Sequence, residues 1–354
     1  MNQKNYIVLL LLYVCFSYLV FISFINDNYY ESSTYKLDAD AGTYYDLSKY
    51  GDLTIKEMVI FEQNLIGPAL ILWLTNYDNT SVFIVNIVLF AIACRLMLVN
   101  FKTEINKLHF VALIVVNPMI LASLLTVNKE IIGLFSIALF ACYLKSKKLP
   151  YLLLFILFAF LTRWHELIVL LCFFLLSSRI NPFKENRLKT CIIFALFLSV
   201  VYPFLANHVS LEQFVVKEQF DKAFGIMAIF NWLQNNYLFF VALVPKMLSN
   251  LFGNVFRIWS VLIGSDSVDY KDLYTWYIIL GHQIVIFIMF IKLFISKKIT
   301  LKNDFIYFSV IYLIVFSLNP AIQYRYIFPL YILFCLELSR VPVLFQQDQK
   351  LVYV

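Results

Sequence analysis

A run of uncharged, mostly apolar residues from Tyr6 to Ile25, YIVLLLLYVCFSYLVFISFI, constrains this chain more than any other feature. Its length matches the roughly 20 residues a helix needs to cross the hydrocarbon core of a bilayer. Runs of the same kind recur almost to the C-terminus. With 62% hydrophobic and 14% charged residues and a mean hydropathy of +0.80, the chain has too little polar surface for a water-soluble globule. No small-residue cleavage site follows the first run, so it reads as a retained span. The expected fold is all-α, a polytopic integral membrane helix bundle with about ten transmembrane helices (10 to 12).

Orientation follows from the basic residues, because Lys and Arg in short loops stay on the cytoplasmic side. They fall in alternate loops: Lys102 and Lys107; Lys145, Lys147 and Lys148; Arg179, Lys184, Arg187 and Lys189; Lys297, Lys298 and Lys302; then Arg340 and Lys350. This pattern predicts spans at 6–25, 80–99, 108–126, 131–145, 149–163, 165–178, 190–206, 276–296, 305–318 and 326–340, with both termini cytoplasmic. Several are shorter than a straight crossing requires, which predicts tilted or paired short helices. Stretches 59–75 and 236–263 read either as further spans or as interfacial helices.

Two longer segments, 26–79 and 207–275, are thereby external and carry most of the acidic residues. The cytoplasmic loops are too short for a nucleotide-binding domain, and neither a P-loop nor a GxGxxG pattern occurs. Nucleic acid is not an expected partner. Cys15, Cys94, Cys142, Cys172, Cys191 and Cys335 lie in or beside apolar runs with no CxxC spacing, and so read as small hydrophobes. His109, His165, His208 and His282 have no ligand spacing. With no evident repeat or linker, residues 1–354 read as a single membrane domain.

Four polar clusters stand out, all predicted at the outer face. In KLDADAGTYYDLSKYGDL, Asp38, Asp40, Tyr44, Tyr45 and Asp46 follow the first span. A carboxylate desolvated by tyrosines could take a proton from a hydroxyl, or could hold a divalent cation; a solvated acidic loop is the plainer alternative. In LLTVNKEIIGLF, Asn128, Lys129 and Glu130 form either a simple exposed tip or a tight one that needs a partner. Arg163, Trp164, His165 and Glu166 interrupt about 30 apolar residues in LFAFLTRWHELIVLL, either as a site or as an internal ion pair between short helices. In NPAIQYRY, Gln323 and Arg325 present donors beside Pro320, unless Arg325 is an interfacial anchor among tyrosines. Carboxylates facing cations suit glycosyl transfer from a lipid phosphate, in which a base deprotonates the acceptor hydroxyl and fixed cations neutralise the leaving phosphate.

The Asp40-Ala-Gly-Thr-Tyr44-Tyr45 segment resembles the acidic first-loop motif of the GT-C superfamily of multi-span glycosyltransferases. Together with NPMILASLLTVNKE, TRWHE and QYRY, it is similar to the polytopic proteins of bacterial surface-polysaccharide clusters, including O-antigen polymerases. The resemblance implies a GT-C-like bundle in the inner membrane acting on a polyprenyl-(di)phosphate-linked saccharide, with membrane lipid and other polysaccharide-assembly proteins as partners. It implies Asp40 as base or metal-linked orienting group with Asp38 beside it, and His165 or Glu166 assisting proton transfer or holding Arg163. Arg163 and Arg325 would bind the diphosphate, with Lys129, Glu130, Tyr44 and Gln323 completing the substrate contacts. A repeat-unit polymerase, a single-sugar transferase using an undecaprenyl-phosphate sugar, and a flippase or transporter of lipid-linked sugars remain the three readings.

Overall fold

The computed structural model describes residues 5–25, 39–49, 66–208, 226–256, 258, 273–319 and 324–341. Their regular structure is helical, apart from an isolated antiparallel bridge between Ile105 and Arg340. The helices are α1 (Asn5–Phe24), α2 (Ala39–Lys49), α3 (Ile66–Leu74), α4 (Asn79–Asn100), α5 (Lys107–Val115), α6 (Pro118–Leu125), α7 (Glu130–Ser146) and α8 (Leu149–Thr162). They continue as α9 (His165–Ser177), α10 (Arg187–His208), α11 (Ile226–Asn235), α12 (Phe239–Phe252), α13 (Leu273–Ile295), α14 (Asp304–Phe316) and α15 (Tyr324–Ile327). A 3₁₀ turn (Phe328–Leu330) then leads into α16 (Tyr331–Ser339).

Every predicted span falls on helix, but length divides them. Among the described residues four helices, over Asn5–Phe24, Asn79–Asn100, Arg187–Phe204 and Tyr277–Ile295, are long and apolar enough to cross a membrane. Expected span 108–126 is a broken pair, α5 and α6, bent by 69°, which would make five. The break has a local cause. Pro118 opens α6, and the residue before a proline is driven out of the helical region; Asn117 accordingly sits at φ −83°, ψ 116°, and its Oδ1 caps the Met119 amide at 2.9 Å. Helices α8, α9, α12 and α14 have 13 or 14 residues and rise about 20 Å, short of a perpendicular crossing. The described part of 59–75 is the nine-residue α3, and that of 236–263 is built around α12 with Pro245 inside it. Leu11, Leu12, Phe16 and Leu19 of α1 are exposed, as a helix facing lipid requires.

The chain divides into two compact units. The first comprises residues 1–164, 257–298 and 328–354. Its centre is α7, with 14 of 17 residues buried, an all-round burial that marks a core helix rather than an amphipathic one. Around it pack α4, α8, α16 and the 3₁₀ turn, while α2 lies on α3 and α13 lies on α6. The second unit comprises residues 165–256 and 299–327. Its core helix is α14, with 11 of 13 residues buried, in contact with α9, α10, α12 and α15.

Candidate functional site

The tip between α6 and α7 is closed, not exposed. Thr126, Val127, Asn128 and Glu130 have no exposed surface, and Lys129 retains 8%. Asn128 holds it together from both ends of its amide. Nδ2 donates to the carbonyls of Ser123 (2.6 Å) and Thr126 (2.7 Å), and Oδ1 accepts the amides of Glu130 (3.0 Å) and Ile131 (3.2 Å), the first of α7. Asn86 of α4 adds donations to the carbonyls of Leu124 and Thr126 at 3.2 and 2.9 Å.

That cap places Glu130 in the first turn of α7, where the helix dipole favours a carboxylate. Arg163 is the C-cap of α8, where the dipole favours a cation. The two meet, Arg163 Nη2 to Glu130 Oε1 at 3.0 Å, with side chains 2% and 0% exposed. The internal ion pair weighed for Arg163 is therefore present, and its partner is Glu130. Lys129 Nζ stands 5.7 Å from the ring centroid of Tyr44, a buried residue of α2. The first unit thus brings Tyr44, Lys129, Glu130 and Arg163 to one end of its core. Asp40 lies in the first turn of α2, but its side chain is outside the described residues, as is Asp38.

His165 and Glu166 belong to the second unit, at the start of α9. Glu166 is fully buried. The Tyr312 hydroxyl donates to the Tyr326 carbonyl at 2.7 Å, and its 3.5 Å approach to Glu166 Oε1 is only a polar contact. His165 faces Phe316 at 6.0 Å between ring centroids. Arg325 is half-buried in α15, and Gln323 lies outside the described residues.

Two polar cores escaped the sequence reading. In the first unit, His282 Nδ1 lies 2.8 Å from Asn117 Nδ2, at the α5–α6 break, with Phe328 and Tyr331 ringed around the imidazole. In the second unit, Lys246 is buried on an apolar helix within 236–263, the stretch of the external segment read as a further span or an interfacial helix. The available signal was spacing: Asn231 with Gln234, and Lys246 with Asn250, recur at helical intervals. The cysteines are unpaired, with Cys94, Cys142, Cys191 and Cys335 buried and Cys15 exposed. Among the described residues, no three His, Cys, Asp or Glu side chains gather as a metal site. No protein-family model, curated protein or solved structure matches the chain.

Proposed function

We propose that the chain is an inner-membrane glycosyltransferase of surface-polysaccharide assembly, working as the repeat-unit polymerase on undecaprenyl-diphosphate-linked oligosaccharides at the outer face. The observation that supports this most is the convergence of Tyr44, Lys129, Glu130 and Arg163 beside the acidic helix α2. In this scheme Asp40 accepts the proton of the acceptor hydroxyl, the freed oxygen bonds to the anomeric carbon of the donor sugar, and the bond from that carbon to the diphosphate oxygen breaks. The electron pair leaves with the diphosphate, whose charge Lys129 offsets. Arg163, held by Glu130, is a positioning residue that fixes the α7 and α8 ends on which Lys129 rides.

The test is the polysaccharide banding of a deletion strain complemented with wild type, Asp40→Ala or Lys129→Met. Loss of the long-chain ladder with a single repeat retained, unrestored by either variant at normal protein level, supports the polymerase. A full ladder whose repeat lacks one sugar replaces it with a single-sugar transferase. Restoration by both variants sinks the site. A second reading, transport of lipid-linked sugars, draws on the bent pair α5–α6, because broken helices mark many transporter binding sites. Repeat units accumulating on the cytoplasmic leaflet of the deletion strain would favour it.

A further inference from the structure

Helices α11 and α12 of the second unit bury a polar stripe that the proposed transfer site does not use. Asn231 and Gln234 share one face of α11, three residues apart, and Lys246 and Asn250 share one face of α12, four apart. Asn231 and Asn250 are 3% exposed, and Gln234 and Lys246 are 0% exposed. Lys246 Nζ donates to Gln234 Oε1 at 2.6 Å. The same amide's Nε2 donates to the Leu318 carbonyl at 2.6 Å, which fixes its oxygen toward the lysine. Asn250 Nδ2 reaches Ser317 Oγ at 3.4 Å.

This arrangement leaves hydrogen-bonding capacity to account for. An ammonium has three protons to donate, and Lys246 has one neutral acceptor with no carboxylate of the described residues paired to it. Both side-chain polar atoms of Asn231 are buried without a hydrogen-bond partner among those residues. A methionine and a leucine would fill the same space without the several kcal/mol that burying unpaired polar groups costs. An ionisable residue kept in such a place needs a partner or a task.

The geometry points to a binding site in the second unit for a singly charged oxyanion bearing neighbouring hydroxyls, with Lys246 on the oxyanion and Asn231 giving one donor and one acceptor to the hydroxyls. One cation among neutral amides matches one negative charge. Such an oxyanion has two sources, the carboxylate of an acidic sugar and the phosphodiester of a lipid-linked sugar.

The test uses the full chain in zwitterionic phosphatidylcholine nanodiscs, with equilibrium binding of three probes: glucuronate, dodecyl glucosyl phosphate and neutral glucose. One of the two anions should bind wild type more tightly than glucose does. That binding should weaken about tenfold or more in Lys246→Met and several-fold in Asn231→Leu, the loss expected for a charged hydrogen bond and a neutral one. Preference for glucuronate assigns the carboxylate source, and preference for the glucosyl phosphate assigns the lipid source. Lys246→Met should still unfold cooperatively near the wild-type temperature without ligand, because losing a buried cation with no carboxylate partner among the described residues offsets the Gln234 oxygen it strands. Lys129→Met should leave probe binding intact, which separates this site from the transfer site of the first unit. Equal binding by wild type and Lys246→Met, or no anion preferred over glucose, overturns the proposal and leaves Lys246 as an internal donor to Gln234.

Discussion

At the scale of single residues, the Glu130–Arg163 pair shows how a sparse set of charges survives in an apolar chain. Each ion sits at the helix end whose dipole complements it, and each is the other's counter-charge at 3.0 Å. Removing one partner strands the other in a buried site, at a cost of about 3–5 kcal/mol, whereas removing both leaves an apolar contact. Arg163→Met and Glu130→Leu should therefore each lower the unfolding midpoint sharply, and the double variant should recover most of the loss in the same detergent. A double variant as unstable as the sum of the singles would show that the pair is uncoupled. The sequence exposed both residues as ionisable groups in apolar surroundings. It could not pair them, because 33 residues separate them and only the antiparallel return of α8 along α7 closes the distance. Lys246 was missed for another reason: stretch 236–263 was legible as a helix, spanning or interfacial, but the helical spacing of Lys246 and its polar neighbours was left unread.

At the scale of elements, close approach decides what the helices tolerate. Gly67 lets α3 lie against the end of α8: a Cβ there would stand 2.5 Å from the Leu161 carbonyl oxygen, a backbone atom that can yield only if one helix moves. At Gly281 a Cβ would stand 2.8 Å from Cγ of Pro118, the residue that starts α6 after the break. Gly67→Ala and Gly281→Ala are each expected to destabilise by about 1–3 kcal/mol through overpacking, despite alanine's better helix propensity. Chemical unfolding of the two variants checks this; an unchanged or raised midpoint would mean that the helices part without strain. The end of α7 was legible in the polar Lys147–Lys148 turn, whereas span 108–126 was read straight through Asn117 and Pro118, a local signal for the break between α5 and α6. The number of crossings was not legible. Hydropathy marks an apolar helix of 13 residues as readily as one of 20, and only the folded lengths separate four or five crossing candidates from the shorter apolar helices.

At the scale of the whole molecule, the basic loops form clusters within each unit. In the first, Lys145 and Arg340 pair with Glu104, Arg340 also meets Glu337, and Lys298 donates to the Glu337 carbonyl at 2.9 Å. In the second, Arg187 meets Asp304 at 2.6 Å and the carbonyls of Leu301 and Lys302. Helix α7 runs from Glu130 to Ser146, so the Glu130–Arg163 pair and the Lys145 cluster lie at opposite ends of one buried helix, about 24 Å apart. Under the positive-inside rule, the proposed outer-face transfer expects the Lys145 end in the cytoplasm and the Tyr44, Lys129 end outside. A membrane-impermeant maleimide should label Asp46→Cys, exposed on α2, in intact cells, and should reach Lys148→Cys only after permeabilisation; the parent chain corrects for native cysteines, which lie in apolar helices. The opposite pattern would put the acidic helix in the cytoplasm, away from exported lipid-linked saccharides, and outer-face transfer could not then be what the Tyr44, Lys129 end of the first unit does.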